Sequence, residues 1–441
     1  MKVLKFGSSA LSSAQQIKEV AEIISNSEGE KMVVLSAMEG TTDILVEIAD
    51  YLYKKNPDGA KELISSIEQH YLQIADELFE DDDQKSDIRK TLYGKFDEIR
   101  NFSKDIFTLF EEKRIVAQGG ILCSYIMEEY LHSKGISSLH IPALSFMKID
   151  KNEEPDVNYI KEELKAQLFE AKKQKPDCQI FLTEGATCQN AYNEVDHLGL
   201  GGNDYTAALI GSSLQAEEIE FWSDSIGIYN NNPNIVSTAQ PVEKLSFDEA
   251  AELSYFLTRI IHPTCILPAK LANVPVRLMN INEKGKKGTL ISTNYTRGKI
   301  EAVASKDGIT SILIKSSRML FAHGFLRRVF EIFESYKTAI DMITTSEIGV
   351  SLTIDNVKHL DEIVDDLKKF GTVTTHKDMT IVSVIGDLPE ENVGFQANIL
   401  TALSQLPIRM ISYGGSAHNI SFLIRTKDKV AALNALNKQL F

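Results

Sequence analysis

The sequence predicts an α/β protein in which a parallel-sheet domain over residues 1–295 is followed by two small α+β units at 305–375 and 376–441. Three observations carry that prediction. Short apolar runs alternate with helical patterns in the first part, a long charge-rich helical stretch interrupts them at about 44–115, and beyond about residue 305 the elements shorten and repeat their order. Alternating strands and helices favour a parallel sheet, because successive parallel strands need a crossover and a helix supplies it.

Lys2–Phe6 is a short strand, closed by the turn Gly7-Ser8-Ser9 and followed by a helical pattern from about Gln15 to Ser25. Lys31–Leu35 is a continuous apolar run of the buried-strand type and ends in Ser36-Ala37. The helical stretch after it reads as an insertion packed on the sheet, with Glu80-Asp81-Asp82-Asp83 as a loop. Ser138–Pro142, Gln179–Glu184, Ile219–Ser223 and Val274–Met279 are further strands, and Asn282–Gly288 is a polar linker. Thr310–Lys315, Gly324–Tyr336, Ala339–Thr344, Ile348–Ile354 and His359–Phe370 then read strand, helix, strand, strand, helix. Thr380–Gly386, Gly394–Leu406, Met410–Ser412, Ile420–Ile424 and Lys427–Leu440 repeat that order, an approximate duplication of a βαββαβ-type unit.

Composition narrows the function. The 441 residues are 43% hydrophobic and 25% charged, ordinary values for a globular chain. A net charge of −15 opposes non-specific binding to nucleic acid or anionic membranes. An anionic substrate would therefore need a local cluster of donors or a metal ion. No uncharged apolar run approaches the roughly 18 residues of a membrane span, and no signal-type apolar core follows Met1. The four cysteines are widely separated, which predicts buried reduced thiols and a cytoplasmic setting. The histidines show no metal-ligand spacing, and His262, before Pro263, reads as structural.

The most informative stretch is Asp196-His-Leu-Gly-Leu-Gly-Gly-Asn-Asp-Tyr-Thr-Ala-Ala208, a glycine-rich turn running into a small-residue helix start. Backbone N–H groups gathered at a helix N-terminus favour anions such as phosphate. A helix capped by Asn203 or Asp204 would read the same way. Ligands of open parallel sheets bind beyond the carboxyl ends of the strands. Those ends carry Gly7-Ser8-Ser9, Ser36-Ala37-Met38, Thr183-Glu184-Gly185 and Ser223-Asp224, so all should converge on the glycine-rich turn.

Eight stretches give the chain a family resemblance. They are Lys5-Phe6-Gly7, Val34-Leu-Ser-Ala-Met-Glu-Gly-Thr-Thr-Asp43, Leu198-Gly-Leu-Gly-Gly-Asn-Asp-Tyr-Thr-Ala-Ala208 and Trp222-Ser-Asp-Ser-Ile-Gly-Ile-Tyr229. Leu245-Ser-Phe-Asp-Glu-Ala-Ala-Glu-Leu253, Ile261-His-Pro263, Gly288-Thr-Leu-Ile291 and Ile343-Thr-Thr-Ser-Glu-Ile-Gly-Val-Ser-Leu-Thr-Ile354 follow in order. Over essentially its whole length the chain resembles the aspartokinases of the amino-acid kinase superfamily. The resemblance implies a carbamate-kinase-like parallel-sheet domain and two ferredoxin-like ACT domains.

It also implies transfer of the γ-phosphoryl group of ATP to the β-carboxylate of aspartate, the first step of lysine, threonine and methionine biosynthesis. ATP and Mg²⁺ would be the cofactors. Lys5 would neutralise the phosphates, Gly7, Ser8, Ser9, Gly201, Gly202 and Asn203 would cradle them, and Asp204 would orient the reacting groups. Ser223, Asp224, Tyr229 and Arg259 would border the nucleotide, and Ser36, Thr41, Gly120 and Leu200 the acceptor. Met319, Asp341, Thr344, Thr345, Ser346 and Glu347 would form an amino-acid effector site, lysine being favoured by the acidic side chain. The small C-terminal units would pair with a second copy in a homodimer or larger homo-oligomer.

Departures from the family pattern cluster at the site. Gly7-Ser8 replaces a glycine pair, Gly119-Gly120 replaces Gly-Glu, and Leu200-Gly-Gly-Asn-Asp204 replaces Arg-Gly-Gly-Ser-Asp. Asn232-Pro233-Asn234 stands for Asp-Pro-Arg and Leu257-Thr258-Arg259 for Gly-Ala-Lys. Leu320-Phe321-Ala322, after Met319, lacks the histidine and serine of many relatives. The exchanges leave two alternatives open: a catalytically impaired paralogue acting as a regulatory or assembly subunit, and a kinase for a different carboxylate.

Overall fold

The computed structural model describes residues 1–102, 106–199, 201–224, 227–256, 262–283, 285–295, 297–316, 323–388 and 393–441. They form two compact units, Met1–Gly227 with Leu257–Asn294, and Ile228–Phe256 with Tyr295–Phe441. Residues 228–256 thus group with the C-terminal units, although the sequence placed them in the first domain.

The first unit runs β1 (Lys2–Phe6), α1 (Ala14–Asn26), β2 (Lys31–Leu35), α2 (Thr41–Tyr53), α3 (Pro57–Leu78), α4 (Asp82–Asn101) and α5 (Leu109–Ser133). It continues with β3 (Leu139–His140), α6 (Val157–Gln174), β4 (Ile180–Glu184), β5 (Thr187–Gln189), β6 (Val195–His197), α7 (Gly202–Leu214) and β7 (Ile219–Ser223). After β8 (Lys244–Leu245) and α8 (Phe247–Ser254), which group with the second unit, it closes with α9 (Pro263–Ala272), β9 (Val276–Asn280) and β10 (Thr289–Ile291).

Its main sheet has the order β3-β4-β2-β1-β7-β9-β10. Only β10 runs antiparallel to its neighbour; the other pairings are parallel. Every residue of β2 is buried, as expected of a strand covered on both faces. The strand expected at Ser138–Pro142 shrinks to Leu139–His140.

The helical insertion is not a separate domain. Tyr71, Phe96, Leu122 and Ile126 share one core with Leu4, Phe6 and Val33 of the sheet. Its acidic segment is only partly loop, because Asp81 accepts a hydrogen bond from the Gln84 N–H at 3.0 Å and caps α4. Asp82 and Asp83 then fall in the first helical turn, where carboxylates favour the exposed N–H groups.

The second unit contains β11 (Ile300–Lys315), α10 (Phe325–Ser335), β12 (Ile343–Ser346), β13 (Gly349–Ile354), α11 (Leu360–Lys368) and β14 (Thr372–Gly386). The chain ends in α12 (Phe395–Ala402), β15 (Met410–Ser412), β16 (Asn419–Arg425) and α13 (Lys429–Leu440). The sheet order is β12-β13-β11-β14-β16-β15. The strands β11 and β14 are far longer than Thr310–Lys315 and Thr380–Gly386, and each serves both repeats.

Ser311–Lys315 pairs with Thr372–His376, while Ile300–Lys306 pairs with Ile381–Gly386, and the register slips between Lys306 and Ser311. Gly308 (φ +77°) and Asp378 (φ +56°) take left-handed conformations at that slip, as bulges require. The second repeat therefore borrows its fourth strand from residues that precede the first. Period-two alternation then builds two faces. Ile312, Ile314, Val382, Val384, Phe422 and Ile424 pack under the helices. Ile309, Ile381, Leu423, Met342, Met379 and Met410 form the opposite face, onto which Phe256 packs.

All four cysteines are buried free thiols. Among the described residues, no helix is long and apolar enough to cross a membrane.

The borrowed strand has a direct consequence. A fragment of residues 295–441 should melt cooperatively, whereas one beginning at 307 leaves the Ile381–Gly386 edge unpaired. The shorter fragment should melt about 10 °C or more lower, or aggregate, in a calorimetric scan.

Candidate active site

The strand ends are tied together by backbone hydrogen bonds. Gly7 N–H donates to the Trp222 carbonyl at 3.1 Å, Ser36 N–H to Phe6 at 3.2 Å, and Gly185 N–H to Leu35 at 2.9 Å. The residues just beyond β1, β2 and β4 are thereby drawn into one line beside the end of β7. The chain leaves β1 for β2 on one side and later returns to β7 on the other, which makes this edge a topological switch point.

Lys5 and Asp204 meet there. Lys5 Nζ lies 2.5 Å from Asp204 Oδ1, and the side chains are only 13% and 18% exposed. Asp204 is in the first turn of α7, whose N-cap, Gly201, is left-handed (φ +75°) and has no side-chain cap. The sequence-level alternative of an Asn203 or Asp204 cap is therefore not what forms. A Cβ on Gly201 would fall 2.3 Å from His262 Cγ, so only glycine fits beneath that ring.

A second close approach seats the helix start. A Cβ on Gly185 would lie 2.3 Å from Asn203 Oδ1 and 3.1 Å from Asn203 Cα. Thr206 completes the attachment: its hydroxyl donates to the Gly202 carbonyl at 2.8 Å and accepts from Ala186 N–H at 3.0 Å. Beside the pair, Cys265 Sγ donates to the His262 carbonyl at 2.8 Å. Burial pushes the Cys265 thiol well up, with the Asp204 charge adding to it, so this thiol stays protonated at neutral pH.

On the facing side, Ser36 is buried and its hydroxyl has no hydrogen-bond partner among the described residues. Thr41, also buried, shares a hydrogen bond with the Tyr71 hydroxyl at 3.2 Å. Gly119 and Gly120 let α5 descend onto the strand ends: added Cβ atoms would stand 2.9 Å from Ala37 Cβ and 3.0 Å from Glu184 Cβ. Glu184 is 1% exposed. Its Oε1 accepts from Ala143 N–H at 3.1 Å and its Oε2 meets His140 Nε2 at 2.7 Å. A carboxylate thus occupies the space beside the residue that lacks one.

The remaining expected residues are distributed as follows. Ser8 and Ser9 open a short 3-10 turn after Gly7, Ser223 ends β7, and Asp224 is exposed. Tyr229 belongs to the second unit, where it bridges to Pro241. Asn232 Oδ1 accepts from Asn234 N–H at 3.0 Å, a local turn contact. Asp341, Thr344, Thr345, Ser346 and Glu347 are also in the second unit: Asp341 before the β12 edge strand, Thr344–Ser346 within it and Glu347 just after it. Leu200, Arg259 and Met319 lie outside the described residues. Sequence reasoning assigned no role to Thr206. It also gave His262 only a structural role and named nothing for the ring to pack on.

Among the described residues, no group of three or more His, Cys, Asp or Glu side chains could hold a metal ion. A lysine–carboxylate pair at a switch point, beside an uncapped helix start, is the equipment of a phosphoryl-transfer protein.

A model of the amino acid kinase family matches residues 1–280, and an ACT domain model matches residues 382–440. Aspartokinase 1, chloroplastic, of Arabidopsis thaliana is 30% identical over the whole chain and 80% of its own length. The lysine-sensitive aspartokinase 3 of Escherichia coli is 26% identical over the whole chain and 99% of its own. Crystal structures of E. coli aspartokinase III match with TM-scores of 0.87 for the T-state complex with lysine and aspartate, and 0.80 for the R-state complex with aspartate and ADP. The first is 27% identical and the second 26%, and both cover the whole chain and at least 99% of the solved one. The chain belongs to the amino acid kinase family and, within it, to the aspartokinases.

The His140 imidazole is paired with the buried Glu184 carboxylate. Burial alone lowers the His140 imidazole, but its hydrogen bond to Glu184 and that carboxylate's charge outweigh burial and hold it above its usual value. A group raised in the folded state stabilises fully below its unfolded pKa of about 6.5, and that contribution is lost as pH rises through the folded value. His140→Gln should therefore cost more stability at pH 6 than at pH 9 in urea titrations. An equal cost at both would show that the imidazolium does not contribute.

Proposed function

We propose that the protein transfers the γ-phosphoryl group of ATP to the β-carboxylate of aspartate, in the crevice at the ends of β1, β2, β4 and β7. The Lys5–Asp204 pair at 2.5 Å, set against an uncapped helix start, carries this reading. Phosphoryl transfer asks chiefly for positioning and charge stabilisation, so a lysine, aligned amides and a carboxylate suffice on the protein side. In the reading, Lys5 Nζ turns from Asp204 to the phosphates, and the N–H groups of Gly7–Ser9 and Gly201–Asn203 hold their oxygens. Asp204 contributes the carboxylate toward the Mg²⁺ carried by the nucleotide. Ser223 and Asp224 border the nucleotide from the end of β7.

On the acceptor side the buried, unpartnered Ser36 hydroxyl is a donor for a substrate carboxylate. The same wall favours one further reading. Both oxygens of Glu184, the carboxylate nearest Gly120 among the described residues, already carry a hydrogen bond from His140 or Ala143. An acceptor carboxylate without an α-ammonium is the alternative substrate that this wall admits beside aspartate.

Lys5→Ala and Asp204→Ala should each lower turnover at least about a hundredfold, the scale of losing one preorganised charge contact. Phosphotransfer measured with Mg-ATP across aspartate and a panel of other carboxylates decides both questions. Undiminished turnover in both variants removes the site assignment, and a faster non-amino acceptor selects the alternative substrate.

Asp341 and the β12 segment constitute the amino-acid effector site in this reading, with lysine as the ligand. The E. coli complex that holds lysine supports it by analogy of fold. The edge strands β12 and β15 present unpaired backbone groups, and such edges are commonly covered by a second copy. A homodimer is expected by light scattering at micromolar concentration; a well-behaved monomer would contradict it.

A further inference from the structure

In the second unit the Asp341 carboxylate already has an occupant. The Tyr255 hydroxyl donates to Asp341 Oδ1, while Oδ2 is buried and accepts no hydrogen bond among the described residues. The backbone around the acid is fixed, with Asp341 N–H donating to the Thr353 carbonyl and Met342 N–H to Thr353 Oγ1, both at 2.9 Å. The Lys306 ammonium does not neutralise the acid directly. It stacks 3.8 Å over the Tyr255 ring and pairs with Asp355 at 2.7 Å. Asp341 is thus a half-buried carboxylate served by one neutral donor and left with one bare oxygen. An ammonium would satisfy it better, because a charged donor makes a hydrogen bond about twice as strong as a neutral one.

Tyr255 is also placed to report that exchange. It follows α8 directly, and its ring meets Phe256 edge-on at 4.9 Å. Phe256 packs on the methionine-rich face of the sheet, with its N–H held by the Leu253 carbonyl at 2.9 Å.

We propose that Tyr255 is a built-in competitor for the effector site: its hydroxyl fills the place on Asp341 that the ammonium of an amino acid takes, and binding releases it. The proposal rests on the effector reading of Asp341 given above. It gives the ligand a differential contact between two states, which any conformational response requires. It also sets the effector threshold, since each ligand must displace an internal donor. Loss of Tyr255 from Asp341 frees the ring that meets Phe256, so occupancy of the acid is felt at the apolar face on which Phe256 packs.

Calorimetric titration of the full chain with lysine tests this, using the wild type, Tyr255→Phe and Asp341→Asn, together with amide hydrogen exchange of the wild type with and without lysine. Tyr255→Phe keeps the ring on Phe256 and beneath Lys306 and removes only the competing hydroxyl. It should bind lysine at least fivefold tighter, Asp341→Asn should lose binding, and lysine should speed exchange at Phe256. Equal or weaker binding by Tyr255→Phe, with Asp341→Asn still defective, overturns the competitor while leaving the effector site in place. No binding by wild type or Tyr255→Phe overturns the effector reading and the proposal with it. If Tyr255→Phe does not fold, the wild-type exchange decides: unchanged or slower exchange at Phe256 with lysine bound overturns the release.

Discussion

The first unit is organised around a single contact, the ion pair between Lys5 on the central strand and Asp204 at the start of α7. Both side chains are largely out of water. Desolvation offsets most of the attraction in such a pair, so it contributes little net stability. What it needs is geometry. β1 must lie between β2 and β7 so that the Lys5 side chain reaches the crevice, and α7 must start on the ends of the strands rather than beside them. The backbone bonds from Gly7, Ser36 and Gly185 to neighbouring strand ends meet the first condition. Gly185 beneath Asn203, Thr206 on Ala186, and Gly201 under His262 meet the second.

The acceptor wall shows how one missing side chain reshapes its surroundings. Gly119 and Gly120 bring α5 within contact of Ala37 and Glu184, closer than any larger residue would allow. Glu184 fills that space but turns its oxygens toward His140 and Ala143. A Cβ returned to position 120 would stand 3.0 Å from Glu184 Cβ, so a glutamate there would require Glu184 to shift. The wall at this point holds an internal contact between Glu184 and His140.

In the second unit the interlocked repeats have a different consequence. Because β11 and β14 each belong to both repeats, the apolar face carrying Met342, Met379 and Met410 is continuous across them. Phe256 is anchored on that face and Tyr255 on Asp341. The Asp341 carboxylate and the methionine-rich face are thereby held by adjacent residues.

Periodicity, turn residues and the ordered family motifs made the sheet, the helical insertion, both repeats and the shared place of Lys5 and Asp204 beside the strand ends legible from the sequence alone. These are local or short-range signals: β2 is apolar because both its faces are covered, and the glycine turn is small because a helix start must approach other backbone. The sequence could not show that Ile300–Lys306 completes the last repeat, because strand partnership depends on hydrogen bonds between distant segments rather than on the strand's own residues. Nor could it show Glu184 turned toward His140, His262 over Gly201, or Tyr255 on Asp341. Each joins side chains from separate elements, and only the tertiary packing brings those elements within a few ångströms of one another.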